Sequence, residues 1–214
     1  MNLTTLQQLS ADMVGDPDQT RFSSKYVAAV NRAQEQFALD SKALFKDKAY
    51  TTVSGTSTYT LPTDFICEDT VTYNGYPLIP VSRHTLYKLY PDTDWTLLTG
   101  TPKHFMVDPE EASLVLRLIP IPQEAKAVSM RYYPMPAAVS AGSDVVLNSS
   151  TLMVQFHMAI AAMAAYLVLT FEESTPAVSD KRRELIKIYA DGVAKAVDTF
   201  KNTASEPLRL RPKR

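Results

Sequence analysis

From about Ser150 to Phe171 the chain carries a stretch of helical length with almost no polar side. Phe156, Ile160, Met163 and Leu167 are interleaved there with Ala159, Ala161, Ala162, Ala164 and Ala165. An amphipathic helix can lie on a surface, but a helix that is apolar all round needs a neighbour on every side. Its most apolar part, Met158 to Leu169, is about a dozen residues, whereas a bilayer needs about 20. The sequence therefore argues for no membrane span, and the cover has to be protein. Small side chains let a neighbouring backbone approach closely.

Other helices frame this one. Leu3, Leu6, Leu9 and Met13 recur at helical spacing and stop at Gly15 and Pro17. A second helix is predicted from the Phe22–Val27 region onward, with Ser23 as its cap and Phe22 stapled to Val27. Its buried stripe is Tyr26, Val30, Ala33, Phe37 and Leu44, opposite Arg32, Glu35, Lys42 and Lys46. Near the end, a helix from Pro176–Ser179 to about Lys201 buries Leu185, Tyr189, Val193, Ala196 and Phe200.

Between these helices the period changes from 3.6 to 2. Tyr50–Gly55 and Thr58–Pro62, with Gly-Thr-Ser between them, predict a hairpin. Thr70–Tyr73, an Asn74-Gly75 turn and Tyr76–Val81 predict a second. Ser82 caps one or two helical turns that end before Pro91. His104–Val107, Ser113–Leu118 and Ala127–Tyr133 complete the strands. The expected fold class is α+β, a bundle of two N-terminal and two C-terminal helices interrupted by a β-rich antiparallel insertion. The expected limits are 1–48 and 149–203 for the helices, 49–148 for the insertion and 204–214 for a basic tail.

Motifs for chemistry are scarce. His84, His104 and His157 are far apart, and none has the spacing of a metal-ligand pair. Glu110-Glu111 and Glu172-Glu173 are sequence neighbours whose side chains diverge, unlike the facing carboxylates of a glycosidase. Neither a nucleophile elbow nor a phosphate-binding glycine loop is present. No cofactor or metal is expected, and the chain is not expected to be an enzyme. Cys67 reads as a core residue beside Phe65 and Ile66; as the only cysteine it permits no intrachain disulfide, which fits assembly in a reducing cytoplasm. Met1-Asn2-Leu3-Thr4-Thr5 lacks the basic and apolar blocks of a secretory signal.

With 22 basic and 23 acidic residues, the chain lacks the positive surplus that tight DNA binding needs. Its concentrated positive charge is in the tail, where Arg209, Arg211, Lys213 and Arg214 surround Leu208 and Leu210. Such a segment is either a solvated end or an arm that orders against a partner.

Tyr59-Thr60-Leu61-Pro62-Thr63-Asp64-Phe65, followed by Asn74-Gly75-Tyr76-Pro77-Leu78, resembles the start of the β-region in head-to-tail connector proteins of tailed bacteriophages. The resemblance continues through Trp95, Gly100-Thr101-Pro102-Lys103-His104-Phe105, Leu114 to Pro122 and Met130 to Pro134. Asn31-Arg32-Ala33, on the helix from Tyr26 to Phe37, is similar to that family's first long helix. The resemblance implies a virion protein at the neck, in a ring of about twelve copies related by cyclic symmetry, with Phe156, Ile160, Met163 and Leu167 on an inter-subunit helix whose alanines allow close heterologous contacts. Its implied partners are the portal ring, neighbouring copies, a downstream tail or nozzle protein, and double-stranded DNA that passes without specific binding. It also implies that Leu208, Arg209, Leu210, Arg211, Lys213 and Arg214 form a portal-binding tail, by position alone. Near-zero net charge suits a conduit, since phosphate contacts would retain DNA that has to slide past. Pro120, Pro122, Pro134 and Pro136 fix the backbone beside strands, which suits a ring under mechanical load. The alternatives are a virion-associated peptidoglycan hydrolase and another tail ring, a stopper or terminator. A plain DNA-binding module ranks last.

Overall fold

The computed structural model describes residues 1–110, 113–144, 146–149 and 155–204. The chain divides into two compact units, Met1–Leu44 with Met135–Arg214, and Phe45–Pro134. The fold is α+β, with helices at both ends and a β-rich middle.

In the helical unit, α1 spans Leu3–Val14 and is capped at its start by Asn2, whose side chain accepts from the Thr5 amide at 2.9 Å. Gly15 ends it at φ +88°, a left-handed conformation that costs glycine little, and its amide closes onto Ala11 and Asp12. Asp16 follows, 4% exposed. Its carboxylate accepts from the amides of Thr20, Arg21 and Phe22 and from the Tyr26 hydroxyl at 3.0 Å. Burial pushes the Asp16 acid up, but the Arg21 amide, the Tyr26 hydroxyl and the Phe22 and Thr20 amides outweigh it and hold it below the usual range. The predicted Ser23 cap does not form: α2 spans Tyr26–Ser41, and Lys25 at its start makes no side-chain cap bond. An ionised carboxylate is the stronger acceptor, and Asp16 collects the amides before α2.

Along α2, Tyr26, Val30, Ala33 and Phe37 are buried as the pattern predicts, while Arg32 pairs with Glu35 on the solvent side. Leu44 lies beyond the helix but packs on the same core. The apolar helix is α4, His157–Leu169, shorter than its predicted span; Ser150 to Val154 lie outside the described residues. It is covered by α1, by α2 and by α5, Pro176–Ala204. The cover is close. The Ser10 hydroxyl reaches from α1 to the Ala161 carbonyl at 3.2 Å, and a Cβ on Gly192 of α5 would stand 2.4 Å from that of Ala159. Phe156 links Phe37 and Phe200, with ring centroids 5.7 and 6.1 Å apart. Such aromatic pairs add about 0.5–1.5 kcal/mol each beyond the area they bury.

The β-rich unit holds β1 (Lys46–Thr51), β2 (Thr58–Thr60), β3 (Phe65–Tyr73), β4 (Tyr76–Pro77), β5 (Ile79–Pro80), β6 (His104–Glu110), β7 (Ser113–Ile119) and β8 (Ala127–Pro134). They form two four-stranded sheets, β1-β8-β3-β4 and β2-β7-β6-β5, antiparallel except where β5 runs parallel to β6. On β8, Val128, Met130 and Tyr132 are buried and Ser129 and Arg131 exposed, the alternation expected of a half-buried strand. Asn74 and Gly75 join β3 to β4 with φ +49° and +83°, the positive pair that a tight hairpin needs. The other predicted hairpin does not form, because β1 pairs with β8 and β2 with β7 in different sheets. Between them the Thr52 hydroxyl bonds the Glu124 and Lys126 carbonyls and the Gly55 amide bonds Pro122, so the segment passes from one sheet to the other. The predicted strand Tyr76–Val81 is likewise split between the sheets, pivoting on buried Leu78. Ser82 caps the short helix α3, Arg83–Leu89, as expected, through the Thr85 amide. Cys67, expected in the core, is half-buried on β3.

Four tyrosines donate to carboxylates: Tyr26 to Asp16, Tyr132 to Asp64, Tyr133 to Asp69 and Tyr189 to Asp40. Burial and then the adjoining carboxylate push all four phenols up, Tyr132 and Tyr133 to about 12. A phenol whose folded pKa exceeds the unfolded value of about 10 stabilises the fold below pH 10, and that contribution is lost as pH rises toward 12. Of the 11 tyrosines, these four and Tyr50, whose phenol burial alone pushes up, are expected to ionise late. Absorbance at 295 nm should show a late step that coincides with loss of helical circular dichroism. A single titration near pH 10 would contradict it.

Candidate assembly surfaces

Of the four residues proposed for an inter-subunit helix, Phe156 and Ile160 lie in the chain's own helical core, 3% and 0% exposed. Met163 and Leu167 are partly exposed. Leu208, Arg209, Leu210, Arg211, Lys213 and Arg214 lie outside the described residues.

The remaining polar candidates are scattered. His84 is exposed, His104 is half-buried on β6, and His157 is 1% exposed among the helices. Burial and nearby Lys103 hold His104 below its usual pKa. Glu172 pairs with Arg21. Among the described residues, no three His, Cys, Asp or Glu side chains converge to hold a metal, and no helix is long and apolar enough to cross a membrane.

The structure does assemble one buried charge cluster that the sequence did not announce. Asp108 on β6 is 3% exposed and takes a two-pronged contact from Arg83 of α3, with Nε to Oδ1 at 3.2 Å, and a third from Arg117 Nε on β7 at 3.4 Å. The groove beside it, about 380 Å³, is open and is walled by Val81, Ser82, Met106, Val107 and Pro109. Both oxygens of the Asp108 carboxylate are engaged by Arg83, which braces α3 against the sheet.

Among the described residues, large apolar side chains are exposed at several places, Tyr76 and Ile79 among them, and two of these places adjoin charged side chains. In the β-rich unit, Leu86, Trp95, Met106 and Ile119 form a small satellite core. The Tyr87 ring, 63% exposed, stands edge-on to Trp95 at 6.2 Å, and Leu89 and Leu97, close by in sequence, are 50% and 74% exposed. Asp92 and Asp94 are exposed on the same loop. The Thr96 hydroxyl and amide hold the Asp94 acid below its usual range, so this carboxylate is charged at neutral pH. In the helical unit, Phe171 is 63% exposed beneath the Lys25 ammonium, which stands 4.9 Å above its ring. Arg21 adjoins it through Glu172. The signals for both were present but weak: large apolar residues next to polar ones, off the phase of any core-facing stripe.

The family described as SU10 adaptor protein matches residues 1–211. No curated protein matches the chain.

Proposed function

The chain belongs to the SU10 adaptor family and is thus a structural phage protein of the virion, and from that premise we propose that it is a head-to-tail adaptor seated beneath the portal. In this reading neighbouring copies form a ring that extends the DNA channel and gives the tail its docking platform. The observation that carries it is the span of the family match, which takes in the helical unit, the β-rich unit and most of the basic tail. Met163, Leu167 and the tail from Leu208 to Arg214 remain candidates for contacts with neighbours and portal.

Mass photometry of the chain mixed with its portal ring tests the proposal. A discrete complex larger than the portal alone is expected, and its mass gives the copy number. A chain indifferent to portal would point to a different ring in the virion. Deleting Leu208–Arg214 is expected to leave the melting temperature unchanged and to weaken portal assembly by tenfold or more, about the loss of one good anchor. Normal assembly of the truncated chain would remove the tail from the interface.

A further inference from the structure

The tip of the β3–β4 hairpin carries a reactive pair that assembly does not call on. Asn74 and Gly75 are both exposed there, at φ +49° and +83°. Asparagine is thermolabile, because its carboxamide can be attacked by the main-chain nitrogen of the residue that follows. A Cβ on that residue hinders the attack, and glycine has none. Of the five asparagines, Asn74 alone precedes a glycine; Asn2, Asn31, Asn148 and Asn202 precede Leu3, Arg32, Ser149 and Thr203. We propose that Asn74 is a modification site, converted by water to aspartate and isoaspartate through a cyclic imide with Gly75.

The surroundings leave the reacting atoms available. Among the described residues, neither the Asn74 carboxamide nor the Gly75 amide takes part in a hydrogen bond. A Cβ built on Gly75 would meet nothing within 4 Å. The turn has to flex for the nitrogen to reach the carboxamide carbon, and little opposes that. Strand β4 is two residues long, stands at the end of its sheet and pairs with β3 alone. Such an end belongs to the least stable part of a fold. Other asparagines are held. The Asn2 carboxamide accepts from the Thr5 amide and hydroxyl, and that of Asn31 exchanges two hydrogen bonds with the Val139 backbone.

A bond forms between the Gly75 nitrogen and the Asn74 side-chain carbon, the bond from that carbon to Nδ2 breaks, and the Gly75 proton leaves with the amide as ammonia. Water then opens the imide on one side or the other. Opening at the side chain leaves aspartate, and Asp-Gly suits the same tight turn. Opening at the main chain leaves isoaspartate, which routes the backbone through the former side chain and lengthens the loop. In that form the pairing of Tyr73 with Tyr76 is strained and β4 loosens.

Peptide mapping by mass spectrometry tests the site on the full-length chain, held warm at mildly alkaline pH, with a parallel sample in urea. In the native sample the Asn74 peptide is expected to convert ahead of those holding the other four asparagines, and more slowly than in urea. It should give two acidic products of equal mass that separate by chromatography. Asn74→Gly keeps a pair that favours the same turn, so its melting temperature should stay near the parent's while both products are lost. The parent's map decides the assignment by itself, whether or not that variant folds. Earlier conversion at another asparagine, or a native Asn74 peptide that stays intact while the urea sample converts, would overturn it.

Discussion

Replacing Gly192 with leucine should collapse the helical unit, lowering the melting temperature by roughly 10 °C or more. Even the single methyl of Gly192→Ala would place its carbon 2.4 Å from the Ala159 methyl. That distance lies far inside van der Waals contact, so α4 and α5 have to move apart. The strain of over-packing, typically about 1–3 kcal/mol, works against a helix-propensity gain of about 1 kcal/mol. The net loss for alanine is therefore modest, while leucine adds three further carbons and gains nothing more. A swap separates packing from propensity. Gly192→Ala combined with Ala159→Gly moves the methyl to the other helix and should recover most of the stability lost by Gly192→Ala alone. Thermal unfolding followed at 222 nm checks it. If leucine is tolerated, the close approach of α4 and α5 does not hold the unit together.

Asp108→Ala is the second large effect, in the β-rich unit. The change leaves Arg117, 19% exposed, without its buried counter-charge and removes the two-pronged contact to Arg83. Removing one partner of a buried ion pair costs about 3–5 kcal/mol; with Arg83 more than half exposed, about 2–4 kcal/mol is expected here. Arg83→Ala should cost about as much, because it strips both hydrogen bonds from a carboxylate whose side chain is 4% exposed. Urea unfolding of the two variants tests this. A loss under about 1 kcal/mol for Arg83→Ala would mean that Asp108 is held by the sheet and not by its charges.

Helices α1, α2 and α5 are legible in the sequence because each buries one continuous stripe. Leu3 and Leu6, then Tyr26 to Phe37, then Leu185, Tyr189 and Ala196, all recur at a period that survives any detail of packing. The alanines of α4 permit close approach on several faces, and the structure uses Ala159 and Ala161 for α5 and α1 of the same chain. Periodicity shows that a helix is covered without showing by what. Strands were found where Val128, Met130 and Tyr132 alternate, but pairing was not, because β1 and β2 are neighbours in sequence that join different sheets. The hydrogen bonds of Thr52 that separate them reach residues more than 70 positions away. Asp16 was missed for a similar reason: it caps amides that precede the helix, where Ser23 fits the local pattern better. Asp108 with Arg83 and Arg117 draws on three separate elements, and no local motif could have joined them.

The β-rich unit interrupts the helical one, and its ends meet. Lys46 pairs with Tyr132 across β1 and β8, and the Phe45 and Tyr133 rings lie 4.9 Å apart. For a nascent chain this changes the entropy of finishing the bundle. With the insertion unfolded, α1 and α2 have to find α4 across a tether of about 115 residues. Once the insertion has folded, the tether shrinks to about 25 residues, and the closure term falls by about 1 kcal/mol. The middle of the chain thereby acts as an internal clamp that recruits the late-emerging helices to the early ones.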